Sequence, residues 1–276
     1  MKKVAIVGLG WLGMPLALSL TAAGMQVTGS KTTQDGVEAA RMCGVDSYVL
    51  AFTPEMICAA EDFAALLDVD ALVITLPASR TAASGKDYLL AVQRLVDSAL
   101  AAGITQIIFT SSTSVYGNTL GITDENSVRQ PVTVAGKTLQ ELEDWLHNLP
   151  GVSVDILRLA GLVGPKRHPG RFLAGKENVA NGEQGVNLVH LEDVIAAIHL
   201  LLQSPNGNRV YNLCAPEHPA KAQFYPAAAR RLGLVAPTFA AEKSGAENGK
   251  IIDGSLICQE LGFSYHYPDP YTMPLS

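Results

Sequence analysis

The sequence predicts an α/β protein built on a doubly wound parallel sheet, followed by a smaller C-terminal part. Short β-branched runs alternate with longer helical patterns over the first two thirds of the chain. A glycine-rich turn directly follows the first run, and the pattern loosens into a loop-rich stretch after Leu159. We therefore expect one domain over residues 1–160 and a smaller region over 161–276.

Six short runs that contain β-branched residues predict the strands of a parallel sheet covered on both faces. They are 4–7, 26–29, 47–50, 71–76, 106–110 and 153–157. Helical periodicity lies between them, at 12–23, 35–42, 59–67, 87–102 and 137–147. After the loop-rich stretch the pattern predicts a helix at 192–202, a strand at 209–213, a helix at 222–232 and a tail rich in Pro and Tyr.

Composition excludes several classes of protein. The 276 residues are 48% hydrophobic, so the chain can bury a sizeable core. A net charge of -6 without a basic run argues against nucleic acid and anionic membranes, and favours a small-molecule partner. The four cysteines form no CxxC pair, which predicts reduced core thiols rather than a disulfide framework or a zinc site.

The first 23 residues superficially resemble a secretory signal peptide. However, glycines and a proline interrupt the apolar run, and they sit where a nucleotide-binding fold requires them. These residues are Gly8, Gly10, Gly13 and Pro15. No stretch is long and apolar enough for a membrane span of about 20 residues, so we expect a cytoplasmic protein.

The segment from Gly8 to Gly13 reads GLGWLG and matches the GxGxxG pattern. The pattern alone is weak evidence, but here it follows a strand and opens a helix. Gly8 can make the tight turn, Gly10 lets the backbone approach a pyrophosphate, and Gly13 permits close packing of helix on sheet. The sequence therefore predicts a dinucleotide site of the Rossmann type, although glycines that serve only a tight turn are the alternative.

The end of the second strand predicts the choice of cofactor. An acidic residue there normally binds the ribose hydroxyls of NAD, but this chain has Ser30, Lys31 and Thr32 and no carboxylate before Asp35. Hydroxyls and a lysine suit a 2′-phosphate, so we expect NADP, with NAD as the alternative. Lys31 could instead be a solvated surface charge.

A second nucleotide-binding pattern is rejected. Residues 170–177 read GRFLAGKE, which matches a P-loop except at its last position. Glu177 stands there in place of the Ser or Thr that would hold Mg²⁺, and no clear strand precedes the pattern.

Four further motifs carry a family resemblance. They are IIFTSSTSVYG at 107–117, LRLAG at 157–161 with Pro165, LVHLEDV at 188–194 and YNLCAP at 211–216. Together they make the chain resemble the extended short-chain dehydrogenases and nucleotide-sugar epimerases, and within them the atypical YeeZ-type group. The resemblance implies additional cofactor contacts at Trp11, Leu12, Leu76, Pro77, Ala78, Lys137, Leu159 and Ala160.

The resemblance also implies catalytic residues. A serine before the VYG tyrosine, here Ser112, polarises the substrate carbonyl, and Ser114 lies beside it as a substrate contact. Alternatively, the serines at 111, 112 and 114 cap loop amides. The family's YxxxK pair keeps its lysine as Lys137, but Thr133 replaces the tyrosine. Because an aliphatic hydroxyl ionises poorly near neutral pH, Thr133 is a poor general base. Tyr116 is the only nearby phenol, and packing is its more ordinary role.

The loop-rich stretch supplies candidate substrate residues. Arg167, His168 and Arg171 are spaced to bind a phosphate or a carboxylate, with a solvated basic loop as the alternative. His190, Glu192 and Asp193 look like metal ligands only in isolation, since acidic residues suit a first helical turn. We expect no metal.

Three hypotheses follow for the function. The first is an NADP-dependent oxidoreductase or epimerase acting on a hydroxyl or carbonyl group of a sugar-like molecule. The second is a protein that binds NADP(H) but has little or no turnover, which Thr133 favours. The third, a β-hydroxyacid dehydrogenase, would need a long all-helical second domain that this chain does not offer.

We also expect a homodimer. The predicted helices 87–102 and 137–147 carry more apolar residues than one sheet-facing stripe needs. In the resembling family these two helices pair across a two-fold axis.

Overall fold

The structure is a computed structural model, and it describes residues 1–52, 56–78, 85–204, 207–241 and 249–275. Its strands are β1 (Lys3–Val7), β2 (Gln26–Lys31), β3 (Asp46–Val49), β4 (Ala51–Phe52), β5 (Met56–Ile57), β6 (Ala71–Ile74), β7 (Gln106–Ser112), β8 (Gly121–Thr123), β9 (Ser153–Leu159), β10 (Gly161–Val163), β11 (Leu188–His190), β12 (Arg209–Leu213) and β13 (Lys250–Ile252). Its helices are α1 (Gly13–Ala22), α2 (Gln34–Met42), α3 (Ala60–Leu66), α4 (Gly85–Ala101), α5 (Val134–His147), α6 (Leu191–Gln203), α7 (Lys221–Arg231) and α8 (Leu256–Leu261).

Seven strands form one sheet in the order β12-β9-β7-β6-β1-β2-β3. β1 pairs in parallel with β2 on one side and with β6 on the other, so Val4 lies opposite both Val27 and Ala71. The chain runs outward from β1 in one direction first and then in the other. The predicted doubly wound fold class is confirmed, and the reversal of direction lies between β1 and β6, where such sheets bind their ligands.

The centre of the sheet is fully buried, as the apolar runs predict. Every residue from Val4 to Val7 and from Ala71 to Ile74 has no exposed surface. Such burial requires helices on both faces of the sheet. Five of the described helices are followed within two residues by a glycine that has positive φ and lies in open space, namely Gly24, Gly44, Gly103, Gly233 and Gly262. Glycine is the usual residue where a helix ends in this conformation.

The chain divides into two compact units. Unit 1 comprises 1–115, 131–157 and 197–210, and unit 2 comprises 116–130, 158–196 and 211–276. Unit 1 carries β1, β2, β3, β6 and β7 with their helices. Unit 2 has a core of its own, in which Phe224 and Ala228 of α7 pack with residues such as Val163, Leu188 and Met273.

Several details differ from the expectations. α5 begins at Val134 rather than at Lys137, and three short strand pairs, β4–β5, β8–β13 and β10–β11, were not predicted. The four cysteines are free thiols, but the prediction that they lie in the core holds only for Cys214. Cys58 and Cys258 are half-buried, and Cys43 is exposed. No helix in the described part of the chain is long and apolar enough to cross a membrane.

One buried ion pair generates a stability prediction. The carboxylate of Asp155 on β9 has no exposed surface, and both of its oxygens accept hydrogen bonds of 2.8 Å from Arg209 of β12. Replacement Asp155→Asn leaves a half-paired guanidinium, so we expect it to lower the free energy of unfolding by about 3–5 kcal/mol. Urea unfolding measures this loss.

The pair between Lys3 and Asp68 is the control, because the Asp68 carboxylate is largely in solvent and the Lys3 side chain is also exposed to it. Asp68→Asn is expected to leave the free energy of unfolding almost unchanged, since exposed ion pairs contribute little. Equal costs for the two variants would contradict the prediction.

Candidate functional site

The loop between β1 and α1 has the geometry of a dinucleotide-binding turn. Gly8 has a φ of 107°, and a Cβ placed on it would lie 3.0 Å from Thr75 Oγ1. A Cβ on Gly13 would lie only 2.1 Å from the carbonyl oxygen of Gly8. In contrast, a Cβ on Gly10 would meet nothing closer than 4.0 Å. Gly8 and Gly13 are therefore required for the turn itself, whereas Gly10 keeps the backbone accessible from outside.

Two hydroxyls on the neighbouring strands hold this loop. Thr75, just after β6, donates a 2.7 Å hydrogen bond to the Gly8 oxygen. Ser30 of β2 is 3% exposed, and its Oγ accepts a 3.1 Å hydrogen bond from the Gly8 amide. The Leu9 amide donates to the Ser30 carbonyl at 3.0 Å. The loop after β1 is thus tied to both adjacent strands.

The buried position of the Ser30 hydroxyl does not suit its predicted role as a ligand of the 2′-phosphate. Its hydroxyl is buried under the glycine loop, whereas Lys31 is half-buried at the end of β2 and Thr32 is exposed beyond it. The Lys31 stem lies against the first turn of α2, since a Cβ on Gly36 would be 3.3 Å from Lys31 Cβ. Lys31 and Thr32 therefore carry the phosphate hypothesis.

The other predicted cofactor contacts lie in varied surroundings. Leu12 is buried before α1 and Trp11 is half-buried beside it. Leu76 is buried, and its carbonyl accepts a 2.9 Å hydrogen bond from the Tyr88 hydroxyl. Pro77 is exposed, and Ala78 is the last residue described in that loop. In unit 2, Leu159 and Ala160 are 6% and 7% exposed.

At the end of β7 the serines hold the local structure. Ser112 Oγ accepts a 3.1 Å hydrogen bond from the Ser114 amide, at the start of a short 3-10 turn over Thr113–Tyr116. Ser111 donates a 2.5 Å hydrogen bond to Glu143 of α5, whose side chain is 2% exposed. Ser112 thus caps a loop amide, as the alternative to a catalytic role expects, whereas Ser111 binds a carboxylate instead of an amide. Ser112 and Ser114 nevertheless remain partly exposed.

Thr133 is the N-cap of α5. Its Oγ1 accepts a 3.0 Å hydrogen bond from the Gly136 amide, and its carbonyl accepts the Lys137 amide at 3.0 Å. Both Thr133 and Lys137 are exposed. A Cβ on Gly136 would lie 3.0 Å from the Ser114 carbonyl oxygen and 3.1 Å from Thr133 Oγ1. Unit 1 thus brings the Ser114 carbonyl and the Thr133 hydroxyl close together beside Gly136.

The Tyr116 phenol lies in the interior of unit 2. Its hydroxyl donates a 2.7 Å hydrogen bond to Asn212 Oδ1 and accepts one of 2.7 Å from Arg158 Nη1. Burial raises the pKa of Tyr116, although the Arg158 charge and the hydrogen bonds oppose this shift. The side chain has no exposed surface. This environment favours the packing role over that of a general base.

Arg167, His168 and Arg171 occupy a turn in unit 2. Arg167 and Arg171 are exposed, whereas His168 is 9% exposed and caps a 3-10 turn over Pro169–Arg171. Its Nδ1 accepts a 2.9 Å hydrogen bond from the Gly170 amide. The P-loop-like stretch that starts at Gly170 therefore begins inside this turn and not directly after a strand.

The residues of the LVHLEDV motif have structural partners in unit 2. His190 Nε2 lies 2.7 Å from the Pro274 carbonyl oxygen. Asp193 accepts hydrogen bonds from the amides of His266 and Tyr267 at 2.7 and 3.3 Å. The part of the chain that the structure describes holds no group of three or more residues arranged to bind a metal.

Sequence reasoning missed the roles of Thr75 and Glu143, and of Arg158 and Asn212, which both bind the Tyr116 hydroxyl. Thr75 had a usable signal, since it is the first polar residue after a buried strand that adjoins the glycine loop. Glu143 and Asn212 had none, because their roles depend on which distant side chain they meet.

Comparison with known proteins adds independent findings. The family model described as the NAD dependent epimerase/dehydratase family matches residues 4–214. Protein YeeZ of Escherichia coli strain K12 is 67% identical over 275 residues, which covers all of both chains.

Solved structures share the fold at low identity. One is a UDP-glucose 4-epimerase with UDP-glucose from Thermotoga maritima, with a TM-score of 0.76 and 17% identity over 96% of this chain and 94% of that one. Another is a short-chain dehydrogenase/reductase superfamily protein with bound NAD from Agrobacterium tumefaciens, with a TM-score of 0.75 and 19% identity over 96% and 93% of the two chains.

The glycine loop gives a paired prediction. Gly13→Ala places a methyl group against the Gly8 carbonyl, so we expect a loss of at least about 1–3 kcal/mol in the free energy of unfolding. Gly10→Ala meets open space and should change that free energy by less than about 0.5 kcal/mol. Thermal unfolding monitored by circular dichroism compares the two, and equal destabilisation would disprove the assignment of roles.

Proposed function

Since the chain belongs to the NAD-dependent epimerase/dehydratase family, we propose that it binds a nicotinamide dinucleotide at the Gly8–Gly13 loop and prefers NADP(H). We further propose that it acts on a hydroxyl or carbonyl group of a sugar-like small molecule. The observation that carries the proposal is the contrast within the loop, where Gly8 and Gly13 are sterically required and Gly10 is open. That contrast is what a backbone approaching a pyrophosphate needs.

The preference for NADP(H) rests on the end of β2. Lys31 and Thr32 stand where a carboxylate would bind the ribose of NAD, and no carboxylate precedes Asp35. A lysine is a point charge that suits a phosphate. Ser30 contributes indirectly in this proposal, because its buried hydroxyl fixes the loop instead of reaching the ribose.

The catalytic proposal assigns Ser112 to the substrate carbonyl and Lys137 to the ribose, with Thr133 in place of the usual phenol. An exposed N-cap hydroxyl is unsuited to exchange a proton. This observation favours the second candidate function, a protein that binds NADP(H) with feeble or no turnover. The Thr133→Tyr variant would also remove the cap, at a cost of about 1 kcal/mol.

Substrate contacts are proposed at Ser114 in unit 1 and at the basic turn of unit 2. Arg167, His168 and Arg171 supply donors that suit a phosphate or a carboxylate. The solved neighbour from Thermotoga maritima contains UDP-glucose, which makes nucleotide sugars the first compounds to test.

Two further proposals concern the protein as a whole. We propose a cytoplasmic location, because four free cysteines suit a reducing compartment. A homodimer through α4 and α5 is also proposed, but most of the apolar side chains behind it, including Tyr88, Val92, Leu95 and Leu142, are buried within the chain. Leu90 and Val134 are the main exposed apolar residues of these helices, so light scattering at micromolar concentration is decisive.

Cofactor titration tests the preference. We expect isothermal titration calorimetry to show tighter binding of NADP⁺ than of NAD⁺, and Lys31→Ala to weaken NADP⁺ binding by about 1.5–3 kcal/mol because a charge-assisted contact is lost. Arg94→Ala, which removes an exposed cation from α4, is the control. Equal wild-type affinities for the two cofactors would refute the preference.

A substrate screen separates the two functions. We expect feeble turnover of alcohols, carbonyl compounds and nucleotide sugars, since acid–base catalysis typically contributes about 10²–10⁴-fold. Ser112→Ala should remove the residual activity without changing cofactor affinity, whereas the control Ser98→Ala on α4 should change neither. Robust wild-type turnover that requires Ser112 but survives Thr133→Val would refute the passive-binder function.

A further inference from the structure

Three residues of unit 2, His168, Arg171 and Arg231, form what we call the cationic cluster. They come from two segments that are distant in sequence, a 3-10 turn and the end of α7. The 3-10 turn over Pro169–Arg171 packs directly on α7, because a Cβ on Gly170 would lie 2.4 Å from the Ala228 carbonyl oxygen. Arg231, in the last turn of α7, lies three residues beyond Ala228. Residues three apart share a helix face, so Arg231 belongs to the face that the turn covers.

His168 connects the two arginines of this cluster. Its imidazole is nearly buried, and because Nδ1 accepts the Gly170 amide, the neutral ring carries its proton on Nε2. Burial lowers the pKa of His168, and the charges of Arg171 and Arg231 lower it further. The charges of both guanidinium groups thus act on the imidazole.

In the part of the chain that the structure describes, neither Arg171 nor Arg231 forms an ion pair with a carboxylate, and Arg231 Nη1 donates instead to the Tyr271 carbonyl at 2.9 Å. Asp269, in the same turn as Tyr271, accepts the Tyr271 amide. The two arginines therefore form a small region of positive charge on a chain whose net charge is -6.

We propose that Arg171, Arg231 and the Nε2–H of His168 form an oxyanion site, and that the phosphate or carboxylate bound there belongs to the substrate. Guanidinium forks match the geometry of both anions. That an anion binds here is argued from the three side chains alone. That this anion is part of the substrate rests on the proposed function. Arg231 is the residue that this inference adds to the basic turn proposed above.

Arg231 also has a structural alternative. Cations in the last turn of a helix interact favourably with its carboxyl end, and Arg230 shares this position. Arg230→Gln is therefore a matched control, since it removes the same charge from the same turn but not from the face in contact with Gly170.

The binding test uses the whole protein and inorganic phosphate, followed by calorimetry. We expect Arg171→Gln and Arg231→Gln to weaken phosphate binding by about 10- to 100-fold each, because each removes a charge-assisted contact. Arg230→Gln should leave it within about twofold. Equal phosphate affinities of the wild type and the Arg171→Gln/Arg231→Gln double variant would overturn the oxyanion site.

A second readout follows His168 directly by NMR. Saturation with phosphate should raise the pKa of His168, because the anion offsets the two charges that lower it. Without phosphate, Arg231→Gln should raise the same pKa more than Arg230→Gln does. A His168 pKa that does not respond to phosphate would also overturn the site.

Competition distinguishes the source of the anion. Saturating NADP⁺ should leave phosphate binding unchanged, whereas a phosphorylated substrate should displace the phosphate. Displacement by NADP⁺ would overturn the assignment to the substrate and leave the oxyanion site intact. A failed substrate screen would weaken the proposed function without altering either phosphate result.

Discussion

The carbonyl oxygen of Gly8 lies where a side chain on Gly13 would have to stand, and this close approach sets the distance between α1 and the sheet. The same glycine is held by Thr75 on one side and by Ser30 on the other. Three neighbouring strands are thereby fixed at the point where the direction of winding reverses. These two hydrogen bonds to Gly8 therefore also fix the neighbouring positions of Lys31 and Leu76, and they leave Gly10 open to the outside.

Much of the fold could be predicted because its signals are local. Apolar β-branched runs identified six of the seven sheet strands to within a few residues, and the GxGxxG spacing located the turn after β1. The seventh, β12, was predicted as a strand of the C-terminal part and not as part of this sheet. The resemblance to epimerases was confirmed by a family match over residues 4–214. The short pair β8–β13 escaped prediction because its strands of three residues are far apart in sequence, and nothing local marks their pairing.

The site was less predictable, because a hydroxyl's role depends on its partner. Ser30 looked like a surface ligand for a phosphate, yet its neighbour in space is a glycine amide. From the sequence, Thr133 stands in place of the family's catalytic tyrosine, and the structure shows in addition that it caps α5. Each of Ser111, Ser112 and Tyr116 is likewise engaged in a hydrogen bond that holds a loop or a strand end.

The glycines that follow the helices show how the fold restricts chirality. Gly24, Gly44 and Gly103 have φ values of 83°, 85° and 86°, and no heavy atom lies within 4 Å of a Cβ built on any of them. An L-residue is strained there by its backbone alone, whereas a D-residue prefers this conformation. A chemically synthesised chain with D-alanine at these positions would lose less conformational entropy on folding. The handedness of three helix ends, rather than lack of room, is therefore what reserves these positions for glycine.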